Sequence, residues 1–106
     1  MALALLITIY CQPSFATEVA ANPGESLFIK HCSGCHVNGG NIIRRRKTLK
    51  LEALKRNGLD NPEAIARVAR IGTGSMNGYA EVLGIGGDQE VANWIWNQAQ
   101  NAWIQE

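Results

Sequence analysis

Five consecutive residues, Cys32-Ser33-Gly34-Cys35-His36, constrain this chain more tightly than any other feature. In a C-x-x-C-H segment two thiols one helical turn apart can add to the two vinyl groups of a haem, and the histidine that follows is held beneath the iron as its proximal ligand. A structural disulfide, a thioredoxin-type redox pair and half of a zinc site use the same cysteine spacing. The thioredoxin reading needs a βαβ pattern that this sequence lacks, and zinc needs a second ligand pair that it does not supply. A disulfide between residues three apart leaves the adjacent histidine unexplained. One covalently bound haem c is therefore the expected cofactor, with Cys32 and Cys35 as anchors and His36 as an iron ligand.

The chain is 106 residues long, room for one domain. With 46% hydrophobic and 18% charged residues it is globular in composition, and a core this small is commonly reinforced by a cofactor. Its first segment is apolar from Ala2 to Ile9, carries no charge, and ends in Ser14-Phe15-Ala16, a small-x-small pattern that signal peptidases accept, although the usual basic n-region is missing. The expected layout is a signal peptide over residues 1–16 and one domain over residues 17–106 in an exported protein. The apolar run is shorter than the roughly 20 residues a spanning helix needs, so no membrane insertion is expected. Cys11 raises a lipoprotein alternative, which bulky Tyr10 disfavours. Loss of the leader leaves Cys32 and Cys35 alone in an oxidising compartment.

The patterning is all-α, with four helices, no strand and no repeat. Asn22-Pro23 supplies a cap followed by proline, so a first helix runs from there toward the cysteines with Gly24, Phe28 and Cys32 on one face. Residues 37–47 read as an extended loop. A short helix follows from about Leu49 and stops at Asn57-Gly58. Asn61-Pro62-Glu63 repeats the cap signature, and Ala64, Ile65, Val68, Ala69 and Ile71 give a buried helical face that ends at Gly72. From Gly72 to Gly87 glycine favours irregular backbone. Asp88 can cap a last helix in which Val91, Ile95, Ala99 and Ala102 form a stripe beside Trp94.

Met76 lies in that glycine-rich stretch, 40 residues after His36. A lone methionine is commonly core filler; a flexible loop at this distance could instead carry its thioether to the opposite haem face. Histidine and methionine together raise the reduction potential and leave no open position for a substrate, which suits electron transfer and argues against a peroxidase or gas sensor. The rival reading is a haem enzyme or ligand sensor in which Met76 does not bind the iron.

Gly24-x-x-x-Phe28-x-x-x-Cys32, Cys35-His36, Gly39-Gly40-Asn41, Lys47-Thr48-Leu49, Gly72-x-Gly74-x-Met76 and Trp94-Ile95-Trp96-Asn97-Gln98-Ala99 resemble, in order and spacing, the cytochrome c6 family of class I c-type cytochromes. The resemblance implies four helices around one covalent haem, Cys32, Cys35, His36 and Met76 as haem-binding residues, and no enzymatic activity. It also implies a thylakoid-lumen or periplasmic monomer that takes electrons from a cytochrome b6f-like donor and passes them to photosystem I or a terminal oxidase. Gly24 and Phe28 would cross the last helix near Trp94, and Leu49 would cover a haem face. Three departures stand out. Arg45 replaces a proline that supports the proximal histidine in typical members, Asn77 replaces a proline after the methionine, and Val68 stands where a glutamine usually faces the haem. This combination is similar to a c6-like branch with lower potentials.

Residues 30–70 hold all ten basic side chains against three acids, a balance of +7, whereas residues 71–106 hold four acids and no lysine or arginine. Arg44, Arg45, Arg46 and Lys47 read either as a solvated loop face or as a surface for an acidic partner. With no interleaved aromatics, no nucleic-acid binding is expected. His31 reads as a surface residue with no role.

Overall fold

The computed structural model describes residues 22–104; the expected leader, Cys11 included, lies outside them. Among these described residues are five α-helices: α1 (Pro23–His31), α2 (Leu51–Arg56), α3 (Pro62–Ile71), α4 (Ala80–Leu83) and α5 (Gly87–Gln100). Single 3-10 turns occupy Val37–Gly39 and Arg45–Lys47. A small antiparallel hairpin, β1 (Gly72–Thr73) and β2 (Met76–Asn77), pairs Gly72 with Asn77 and Thr73 with Met76.

The two helices that open on Asn-Pro begin where the sequence places them, for the chemical reason anticipated. The Asn22 side chain accepts from the Gly24 N–H at 2.9 Å, and Asn61 accepts from the Ala64 N–H at 2.8 Å, each satisfying an amide that the first turn leaves unpaired. α1 and α3 both pack on α5. Gly24 permits the α1 crossing: a Cβ there would fall on the Glu90 carbonyl oxygen and 2.7 Å from the Trp94 Cβ. One turn later Phe28 meets two tryptophans, with ring centroids 4.9 Å from Trp94 and 5.4 Å from Trp103, and the indoles stand edge to face at 5.6 Å. Leu54, Ile65, Val91 and Ile95 complete the apolar centre.

Five expectations need correction. The glycine-rich stretch holds a fifth, one-turn helix, α4, and the strand pair; neither has a period long enough to register in sequence. The second helix starts at Leu51 rather than Leu49, because Leu49 is still tied to the preceding loop through its N–H to the Gly39 carbonyl at 2.7 Å. Ile71 is 60% exposed: the chain turns away at Gly72 (φ 84°), so the last position of the apolar stripe has nothing to cover it. Ala102 is exposed because it lies beyond the end of α5 in a left-handed conformation. Asp88 does not cap α5. Gly86 occupies that position with no side-chain bond, and the Asp88 carboxylate accepts from Arg70 at 2.7 Å, joining α5 to α3.

Candidate haem-binding site

Cys32, Cys35 and His36 are placed by the way α1 ends. The Cys32 and Ser33 amides both reach back to the Phe28 carbonyl at 2.8 and 2.9 Å, and Ser33 Oγ donates to the Ile29 carbonyl at 2.6 Å. The chain then winds one further turn, with the Cys35 and His36 amides donating to the Cys32 carbonyl at 3.2 and 3.0 Å. Both cysteines fall within this turn as free thiols, Cys32 half-buried and Cys35 exposed. Burial, and secondarily the charge of Cys35, pushes the Cys32 thiol up to about 11, which keeps it protonated at neutral pH in the absence of a bond partner.

His36 is the one buried polar side chain among the described residues, 9% exposed. Its Nδ1 donates to the Gly40 carbonyl at 2.7 Å. A carbonyl can only accept, so the proton is fixed on Nδ1 and the Nε2 lone pair is left free for a metal. Asn38 (φ 50°) and Gly39 (φ 79°) reverse the chain in left-handed conformations and so bring Gly40 back to the ring. Trp103 closes this turn from the far end of the chain: a Cβ on Gly39 would lie 2.5 Å from its Nε1, which donates to the Leu49 carbonyl at 3.0 Å. The support lost by having Arg45 in place of proline is thus not the hydrogen bond to the imidazole, which Gly40 provides. That role, and the part played by Trp103, escape sequence reasoning because the partners lie 4 and 64 residues away without a shared pattern.

Met76 is half-buried on β2. Gly72 and Gly78 let the hairpin close against α3: a Cβ on Gly78 would sit 2.5 Å from the Arg70 carbonyl oxygen, and one on Gly72 would sit 2.7 Å from the Gly78 nitrogen. The Tyr79 N–H then donates to the Ala69 carbonyl at 2.9 Å. Strand pairing supplies order at Asn77, where a proline ring is absent. The Tyr79 ring faces His31, with centroids 6.4 Å apart. The methionine segment therefore packs against the residue immediately before Cys32, which gives His31 a packing role that sequence inspection denied it. Val68 is half-buried on α3, and Leu49 packs against the core.

Two unbridged thiols within one turn, followed by a buried imidazole with a single free nitrogen, fit a covalently attached haem. Zinc fits poorly, since no group of three or more His, Cys, Asp or Glu side chains comes together among the described residues. Fold and donor set together define a class I c-type cytochrome.

Comparison with known proteins narrows the class. A protein-family model described as cytochrome c oxidase, cbb3-type, subunit III, matches residues 19–95. A cytochrome c6-like protein of Nostoc sp. is 42% identical over 80 residues, 76% of this chain and 72% of that protein. Cytochrome c6 of Cyanidioschyzon merolae is 36% identical over 100 residues, 93% of each. The crystal structure of cytochrome c6B from Synechococcus sp. WH8102 superposes with a TM-score of 0.78 at 64% identity, covering 81% of this chain and 98% of that one. The chain belongs to the cytochrome c6 family. As a member it binds one haem c covalently and is an electron carrier, not an enzyme.

Proposed function

We propose that this protein shuttles single electrons between membrane redox complexes of a photosynthetic or respiratory chain. In this reading Cys32 and Cys35 would hold the haem through thioethers, and His36 and Met76 would ligate its iron. When bound, the haem supplies the one-electron couple of its iron. The protein does the rest. The Gly40 carbonyl holds the His36 ring in one orientation with Nε2 free, and the hairpin presents the Met76 thioether on a paired backbone. With His36 and Met76 both holding the iron, no position would be left open for a substrate. Residues 1–16 act as the export signal, and the working compartment is the thylakoid lumen or periplasm. No helix among the described residues is long and apolar enough to cross a membrane. A cytochrome b6f-like donor and photosystem I or a terminal oxidase as acceptor are the partners that family membership favours.

The observation that carries the ligand assignment is the buried His36 with Nδ1 committed to Gly40 and Nε2 free. Near-infrared absorption of the ferric form tests the other half. A thioether-to-iron band present in the natural protein and absent from Met76→Ala supports the assignment; no band in the natural protein would favour a five-coordinate haem enzyme or sensor.

A further inference from the structure

We propose that the loop spanning residues 41–48 is the docking surface for an acidic protein partner in electron transfer. This rests on the electron-carrier reading. Residues 41–50 contain five cations, Arg44, Arg45, Arg46, Lys47 and Lys50, and no acid. The four consecutive ones are all exposed, and the ion pair found among the described residues, Arg70 with Asp88, uses none of them. On the adjoining α2 the acid Glu52 is outnumbered by Lys55 and Arg56.

The loop is built rather than slack. Asn41 Oδ1 accepts from the Ile43 and Arg44 amides at 2.9 and 2.7 Å, while its Nδ2 donates to the Lys47 carbonyl at 3.0 Å across the loop. Arg56 and Asn57 both donate to the Arg46 carbonyl, at 3.0 and 3.2 Å. Holding the backbone in one shape lowers the ordering cost that a partner must overcome.

Its location couples it to the redox site. The neck of the loop sits on the haem-attachment segment: the Ile42 N–H donates to the Cys35 carbonyl at 3.0 Å, and the Leu49 N–H to the Gly39 carbonyl at 2.7 Å. A protein seated on the cations is therefore brought against the stretch that carries Cys35 and His36. The charge is also polarised along α5. Trp103, just past the end of that helix, grips Leu49 at the base of the loop, while Glu90 occupies its first turn beside Asp88, whose charge is paired with Arg70. With 14 residues between the two ends, the poles are about 20 Å apart, and the resulting dipole turns the basic pole toward an approaching acidic surface. This alignment with the haem-bearing segment favours a redox protein over a lipid surface, which would need only the charge.

The test uses the haem-loaded protein and an acidic plant-type [2Fe–2S] ferredoxin as probe. In the oxidised, redox-inert pair, amide resonances of residues 41–48 should shift on titration. Arg44→Glu/Arg45→Glu/Arg46→Glu should weaken the complex at least about tenfold at low salt, whereas Arg67→Glu, on exposed α3 surface, should change it much less. With reduced ferredoxin, one electron leaves the cluster and converts ferric to ferrous haem iron with no proton moved, and the second-order rate should fall steeply with salt in the natural protein and only weakly in the triple variant. Thermal melts and midpoint potentials of the variants establish that fold and driving force are kept. Shifts elsewhere, or equal effects of the loop and Arg67 substitutions, would overturn the proposal. So would loop-dependent capture on phosphatidylglycerol vesicles with no effect on ferredoxin, which would make the loop a membrane contact. Failure of the natural protein to exchange electrons even with ferricyanide would instead defeat the carrier reading.

Discussion

Replacing Gly39 with alanine should damage this protein in a way that the same replacement at Gly58 does not. Both glycines are left-handed, at φ 79° and 72°. An L-residue pays about 1–2 kcal/mol there, partly offset by about 0.4–1 kcal/mol from a stiffer unfolded chain, and this part is common to the two sites. They differ in surroundings. A Cβ at 58 meets nothing within 4 Å, whereas one at 39 lands on the buried Trp103 indole. Trp103 is 6% exposed and anchored to the Leu49 carbonyl, so it cannot swing aside. Overpacking of this kind costs about 1–3 kcal/mol. For a domain of this size each kcal/mol corresponds to about 4–8 °C, so Gly39→Ala should melt at least about 5 °C below Gly58→Ala. Because Gly40 holds His36, the variant should also perturb the haem spectrum, which Gly58→Ala should leave alone. In a Trp103→Ala background the extra cost at 39 should vanish. Equal melting losses at the two glycines, or an undiminished penalty without the indole, would refute the reasoning.

Phe28→Ala removes the ring shared by both tryptophans and should cost about 3–5 kcal/mol, measured by guanidinium unfolding followed at the indole fluorescence. Val68→Gln should raise the midpoint potential in a redox titration, by restoring a polar group where the family usually has one; an unchanged midpoint removes Val68 from the explanation of a lowered potential. Asp88 is held below its ordinary 3.8, chiefly by the hydrogen bond from Arg70, so its stabilisation is present above that value and is lost as pH falls through the depressed one. Asp88→Asn should therefore destabilise by no more than about 1 kcal/mol at neutral pH, the pair being exposed, with the difference from the natural protein shrinking in acid melts and in high salt.

What could be read from sequence was local chemistry. Asn22-Pro23 and Asn61-Pro62 each carry a complete start instruction within three residues, so α1 and α3 begin where they should. Cys32 to His36 carries its own chemistry in five. Gly24 was legible through resemblance, and the structure supplies the reason, a helix crossing with no room for a methyl group. The errors arose where a residue's fate depends on distant chain. Asp88 has the composition of a cap, yet Arg70, 18 residues earlier, captures its carboxylate. Ile71 fits the apolar period of α3, but the turn at Gly72 removes its cover. Trp103 belongs to no motif or stripe, and only the folded chain makes it the clamp over Gly39 and Leu49. Helical periodicity reports one element's face; it says nothing of which loop arrives to cover it.

The most direct measurement of the central claim is the mass of the purified chain together with a thiol count. One haem's added mass, with no thiol at Cys32 or Cys35 available for alkylation after reduction, is the predicted result. A colourless chain whose two cysteines alkylate fully would contradict it.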